Sequence, residues 1–190
     1  LPHGVKLAAN GETAMHIEPE IVTGAKIVLS YATAAGAIGY AGKQAIDFVK
    51  EEGVTPLVAR SAIATAMVFC FFEVLPHHPV GVSEVHIILG TTLYLLFGLA
   101  PAAFGLVLGL LAQGVFLAPI DLPQFGMNVT TLLVPLFAMA ILAKKIIPAD
   151  KAYVDLDYRE VLPLSVAYQG GICVWVAFWA LYGGGFGAEN

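Results

Sequence analysis

The stretch LAPAAFGLVLGLLAQGVFLA, residues 99–118, decides the fold. It carries no charge, and Gln113 is its one side chain with a hydrogen-bonding group. A helix on a water-soluble domain keeps a polar face over every two turns, and this stretch has none. Its length matches the roughly 20 residues that cross the hydrocarbon of a bilayer. Irregular backbone is costly in lipid, so helix is the expected state. Pro101, behind the tight turn at 98–101, suits a helix start. Gly105-x-x-x-Gly109 lies within the run and would let a second helix backbone approach closely.

Further apolar runs lie on either side, at 21–40, 56–75, 84–97, 129–147 and 161–182. Polar segments separate them at 42–53, which reads as a helical stretch, and at 76–83, 119–127 and 148–160. The run at 84–97 is short for a crossing, and Pro135 predicts a kink in the run at 129–147. The chain is 58% hydrophobic and 12% charged, against about 25% charged in a soluble domain. Its mean hydropathy is +0.82. These values exclude an ordinary soluble enzyme and a disordered tail, and a net charge of −5 argues against a nucleic-acid partner. The expected fold class is all-α, a polytopic membrane helix bundle of about six transmembrane helices. Residues 21–182 form one transmembrane helical domain. Residues 1–20 form a polar N-terminal extension without the pattern of a signal peptide, and 183–190 form a flexible tail.

Seven of the nine basic residues gather on one side of that topology: Lys43, Lys50, Arg60, Lys144, Lys145, Lys151 and Arg159. The positive-inside rule then places both termini outside a multi-pass protein of the plasma (inner) membrane. Lys26, in the first run, is expected to snorkel outward. Ala32-x-x-x-Gly36 and Ala35-x-x-x-Gly39 read as packing stripes, like Gly105-x-x-x-Gly109. Cys70 and Cys173 sit in apolar runs with no metal-type spacing and read as core residues.

All five histidines, His3, His16, His77, His78 and His86, fall on the predicted outer side, with Glu73, Glu84 and Asp121. Imidazoles and carboxylates at one mouth of a bundle suit capture of a divalent transition metal. Solvated interface groups give the same pattern, and both readings stand. Ser83 is expected to cap the third helix, with His86 in its first turn. His77 and His78 are held between Pro76 and Pro79. Asp121 reads as solvated, and Asn128 as either a helix cap or a site residue.

Three segments carry a family resemblance: Met15-His16-Ile17 with Pro19; Ser83-Glu84-Val85-His86 leading to Gly90 and Leu96-Phe97-Gly98; and Gln113 followed by Gly126-Met127-Asn128. Their order and spacing resemble the substrate-capture component of cobalt/nickel energy-coupling-factor transporters, the CbiM/NikM type. The resemblance implies a metal-capture component for Co(II) or Ni(II) uptake in a multi-subunit ATP-driven transporter. It implies a transmembrane coupling subunit and two ATPase subunits as partners, with a small membrane accessory subunit as a further one. It implies metal held by the Met15 backbone nitrogen, His16 and His86, with Asn128 hydrogen-bonding the site from an ordering loop. Planar nitrogen donors suit Ni(II) and low-coordinate Co(II), and copper and zinc stay open.

Fourteen residues precede Met15, so its nitrogen here is a peptide amide, a poorer ligand than an amine. Removal of the extension, recruitment of Glu84, His77 or His78, or loss of the site would each account for this. The last leads to a second reading, an accessory or structural subunit of a larger membrane complex. The sequence contains no Gly-x-x-x-x-Gly-Lys-Ser/Thr and no His-Glu-x-x-His, so the chain reads as no enzyme.

Overall fold

Lipid offers backbone groups no hydrogen bonds, and this chain meets that demand mainly with helices. The computed structural model describes residues 22–74, 77–80, 83–86, 88–148 and 150–185. In chain order they form α1 (Lys26–Glu52), α2 (Val54–Val74), β1 (His77–Val80), β2 (Ser83–His86), α3 (Gly90–Phe97), α4 (Leu99–Phe116), α5 (Phe125–Ile146) and α6 (Tyr158–Gly184). Short 3-10 turns at Pro119–Gln124 and Tyr153–Asp155 lead into α5 and α6. Among the described residues, four helical segments are long and apolar enough to cross a membrane: Val54–Val74, Leu99–Phe116, Pro119–Ile146 and Tyr158–Gly184.

Two expected boundaries change. The first apolar run and the polar stretch behind it are one helix of 27 residues, α1. No proline interrupts them before Gly53, whose φ of 94° ends the helix in a conformation that favours glycine. The third run is not a helix from residue 84. An antiparallel hairpin takes its beginning, and only the eight residues of α3 are helical. Pro79 cannot join a helical ladder, and the β-branched Val80 and Val85 favour extended backbone. Ser83 and His86 therefore lie on a strand, not at a helix cap and in its first turn. α6 begins at a capping box, in which the Asp157 carboxylate accepts from the Arg159 amide and Glu160 accepts from the Asp157 amide. It continues to Gly184, into the expected tail. α5 is continuous across Pro135, which packs beside Gly171 of α6.

Glycine sets the close approach of α2 and α4. A Cβ on Gly105 would lie 2.4 Å from Ala64 Cβ, and one on Gly109 2.6 Å from Val68 Cγ1. These pairings advance together along both chains, so α2 and α4 run parallel. The hairpin and α3 make the return between them. The α1 stripes behave differently: Gly36 and Gly39 have nothing within 4 Å of such a Cβ, and Ala32 and Ala35 are exposed. α1 instead buries Ser30, Ala34, Ala37, Ala41 and Ala45. Cys70 and Cys173 are exposed, not core. Val58, Phe116, Val166 and Val174 are exposed too, an outward apolar surface suited to lipid.

The starts of α1 and α5 and the ends of α2, α4 and α6 share one end of the bundle with the hairpin. Tyr31 Oη donates to the Pro123 carbonyl at 2.9 Å. Lys26 is exposed at the end of the bundle; its Nζ donates to the carbonyls of Tyr182 (2.9 Å) and Gly183 (3.1 Å) and lies over the Tyr182 ring. A cation at a helix C-terminus satisfies carbonyls that have no helical partner. We expect Lys26→Met to destabilise the solubilised chain by about 0.5–1 kcal/mol, read as a small fall in melting temperature. At the opposite end lie Lys50, Arg60, Lys144, Lys145, Lys151 and Arg159. There Arg60 pairs with Glu52 and Lys151 with Glu160, each at 2.6 Å.

Candidate metal-capture end

The hairpin register sorts the candidate ligands. His77 is the Cα partner of His86, His78 of Val85, Pro79 of Glu84 and Val80 of Ser83. Directly opposed positions in an antiparallel pair lie about 4.5–5.5 Å apart. Strand positions alternate between faces, so positions 77, 84 and 86 share one face and position 78 takes the other. Adjacency in the sequence already implies that His77 and His78 point differently; it does not say which of them shares a face with His86. The register brings His77, Glu84 and His86 to one face and leaves His78 off it.

A second polar group lies at the same end. Gln113, Asp121, Gln124 and Asn128 are all buried, with Asp121 only 4% exposed. Gln113 of α4, Asp121 of the 3-10 turn and Asn128 of α5 line a cavity of about 10 Å³. That is close to the space one water needs. Asp121 is therefore not a solvated loop residue. The turn folds it inward, where Gly114 admits Leu122 at a distance no Cβ would allow. Asn128 lies inside the first turns of α5 and is neither its cap nor part of a loop; Gln124 holds the cap position. Amides and one carboxylate around a water-sized space suit hydrogen-bonded positioning.

Sequence reasoning missed Tyr168. Its ring is buried on α6, and a Cβ on Gly90 would lie 2.2 Å from its Cζ. Tyr168 stands ten residues into α6, so it fixes the start of α3 well inside the bundle. The approach to Gly90 from the hairpin thus runs inward from the polar end. The one available signal was the glycine at position 90, which needs a close neighbour to be informative.

Met15, His16 and His3 lie outside the described residues. The described chain enters the bundle at Val22, which is fully buried with Met127 and Trp179. Trp175 Nε1 donates to Thr130 Oγ1 at 3.1 Å and ties α6 to α5 beside this cluster. Entry is therefore at the hairpin end. Five residues separate His16 from Val22, six steps with a reach of at most about 22 Å.

Residues 16–184 match the family model CbiM, described as the cobalt uptake substrate-specific transmembrane region. No curated protein and no solved structure matches the chain.

Proposed function

Since the chain belongs to the CbiM family, the substrate-specific transmembrane region of cobalt uptake, we propose that it captures Co(II) or Ni(II) for a multi-subunit, ATP-driven transporter of the plasma membrane. The observation that carries this reading is the pairing of His77 with His86 at the polar end of the bundle. Two imidazole positions and the Glu84 carboxylate position on one face give a mixed nitrogen and oxygen set, which borderline divalent metals accept. His16, within reach from Val22, supplies a further nitrogen. Cleavage ahead of Met15 would turn its amide into an amine donor, and the intact mass of the native chain reads this directly. Asn128, with Gln113 and Asp121, orders the ground beneath the ligands; such outer partners fix ligand orientation.

The distribution of charge supports the direction of transport. Basic residues at the far end favour a cytoplasmic position there, which sets the histidines outside. A transmembrane coupling subunit and two ATPases supply the energy, and the chain itself catalyses nothing. The test is calorimetric titration of the tag-free, solubilised chain with Co(II) and Ni(II). We expect one metal per chain in the wild type and none in His86→Ala. Absence of binding in the wild type at micromolar metal overturns the reading. So does co-purification with a large membrane enzyme and no ATPases, the result expected of an accessory subunit.

A further inference from the structure

A cavity of about 480 Å³ opens at the basic end, away from the histidines. Its polar lining is Tyr94 of α3, Lys144 of α5, and Lys151 and Tyr153 of the segment before α6. Ile147 and Pro148 contribute apolar wall. None of the described residues that line it carries a carboxylate. The Tyr94 and Tyr153 side chains hydrogen-bond to each other. Beside the cavity, Tyr153 is half exposed, and Val154 and Tyr158 are 91% and 88% exposed. Exposed tyrosines among lysines at the end of a bundle mark the level of the lipid headgroups.

The cavity therefore offers two ammonium groups and two phenols beside an apolar wall, at headgroup depth. A ligand that fits has a compact anion joined to a hydrocarbon body. We propose that this cavity binds the phosphodiester headgroup of an anionic phospholipid from the leaflet at the basic end.

Local features oppose an anion, among them the α5 C-terminus and the carboxylates of Glu160, Asp157 and Asp155 that act on Lys151, and they leave Lys144 as the main cation. The C-terminus of α5 presents about half a negative charge, but Lys144 and Lys145 in its last turn bring two full positive ones. Glu160 holds Lys151 at 2.6 Å and shares its charge. That bond also raises the lysine's pKa, so the ammonium persists. Lys144 makes no such ion pair among the contacts described and carries most of the selectivity. Basic pockets between helices on the cytoplasmic side recognise lipid headgroups in this way. The site does not depend on metal capture, so the two can fail separately.

The test is native mass spectrometry of the delipidated wild-type chain with an equimolar mixture of phosphatidylglycerol and phosphatidylcholine. We expect one phosphatidylglycerol retained, with about tenfold preference. Lys144→Gln should lose most of that preference. Lys145→Gln removes the same charge from the adjacent position outside the cavity and should keep it. Tyr153→Phe, which leaves every charge in place, should weaken retention severalfold. Equal loss in the Lys144 and Lys145 variants means general surface attraction and overturns the proposal. Displacement of the lipid by millimolar inorganic phosphate, with phosphate retained in its place, overturns the assignment to lipid.

Discussion

Gly105→Ala will destabilise the solubilised chain by about 3 kcal/mol or more, whereas Gly36→Ala and Gly39→Ala will leave it unchanged or slightly more stable. All three glycines sit in small-x-x-x-small patterns, so the sequence motif predicts one outcome for all. The packing predicts two. At Gly105 the new methyl would lie 2.4 Å from Ala64 Cβ and 2.9 Å from the Ala64 carbonyl carbon. The latter is backbone, which no change of rotamer can move aside. α2 and α4 must then separate along their shared length, and Val68 loses its seat on Gly109 as well. At Gly36 and Gly39 a methyl meets nothing within 4 Å, and alanine is the better helix former by about 1 kcal/mol. Thermal unfolding in one detergent reads the contrast, at about 2–4 °C per kcal/mol for a chain of this size. Equal falls for Gly36→Ala and Gly105→Ala would show that the α1 stripe is packed and that the contact between α2 and α4 is not the tight one.

This contrast marks how far the fold was legible. Hydropathy located every long helix, because a chain this poor in charge has few ways to satisfy its backbone in lipid. Four of the six runs became helices within a few residues of their expected positions, and the capped start of α6 lies just ahead of its run. Hydropathy could not tell which small residues meet a neighbour. That depends on the rotation of each helix, and α1 turned Ala34, Ala37 and Ala41 inward in place of Ala32, Ala35 and Gly36. It also missed the broken third crossing. The run at 84–97 is apolar enough for a helix, but Pro79 and the valines beside it commit its beginning to strand pairing. The cysteines show the same limit: apolar surroundings in sequence mean core in a soluble protein and lipid-facing surface here.

The sequence named candidate residue types for the site, and their arrangement was less legible. His86 and Glu84 stood out as candidates, and the family match shows a transmembrane component of cobalt uptake. The inward fold of Asp121 was hidden because prolines at 119 and 123 suggest an exposed turn as readily as a buried one. That His77 and His78 point differently follows from adjacency; which of them shares a face with His86 was hidden, because only a strand register assigns it.

That difference yields the sharpest functional result expected. His86→Ala and His77→Ala will each weaken Co(II) binding by more than the about 10–100-fold that loss of an outer partner costs. His78→Ala will leave it within about threefold, an effect of less than 1 kcal/mol. Positions 77 and 86 are cross-strand partners, so under the proposed function they share one ion and do not act independently. The double variant will therefore be scarcely weaker than either single one, the non-additivity expected of residues that share a ligand. Glu84→Gln keeps size and removes charge from the same face, so its loss will be intermediate. Calorimetric titration of the five variants, with melting curves to confirm folding, reads all of this. Additive losses at 77 and 86 would mean that the two histidines serve separate ions or none. A loss at 78 equal to that at 77 would mean that metal binding follows the adjacency of the pair and not the face of the hairpin.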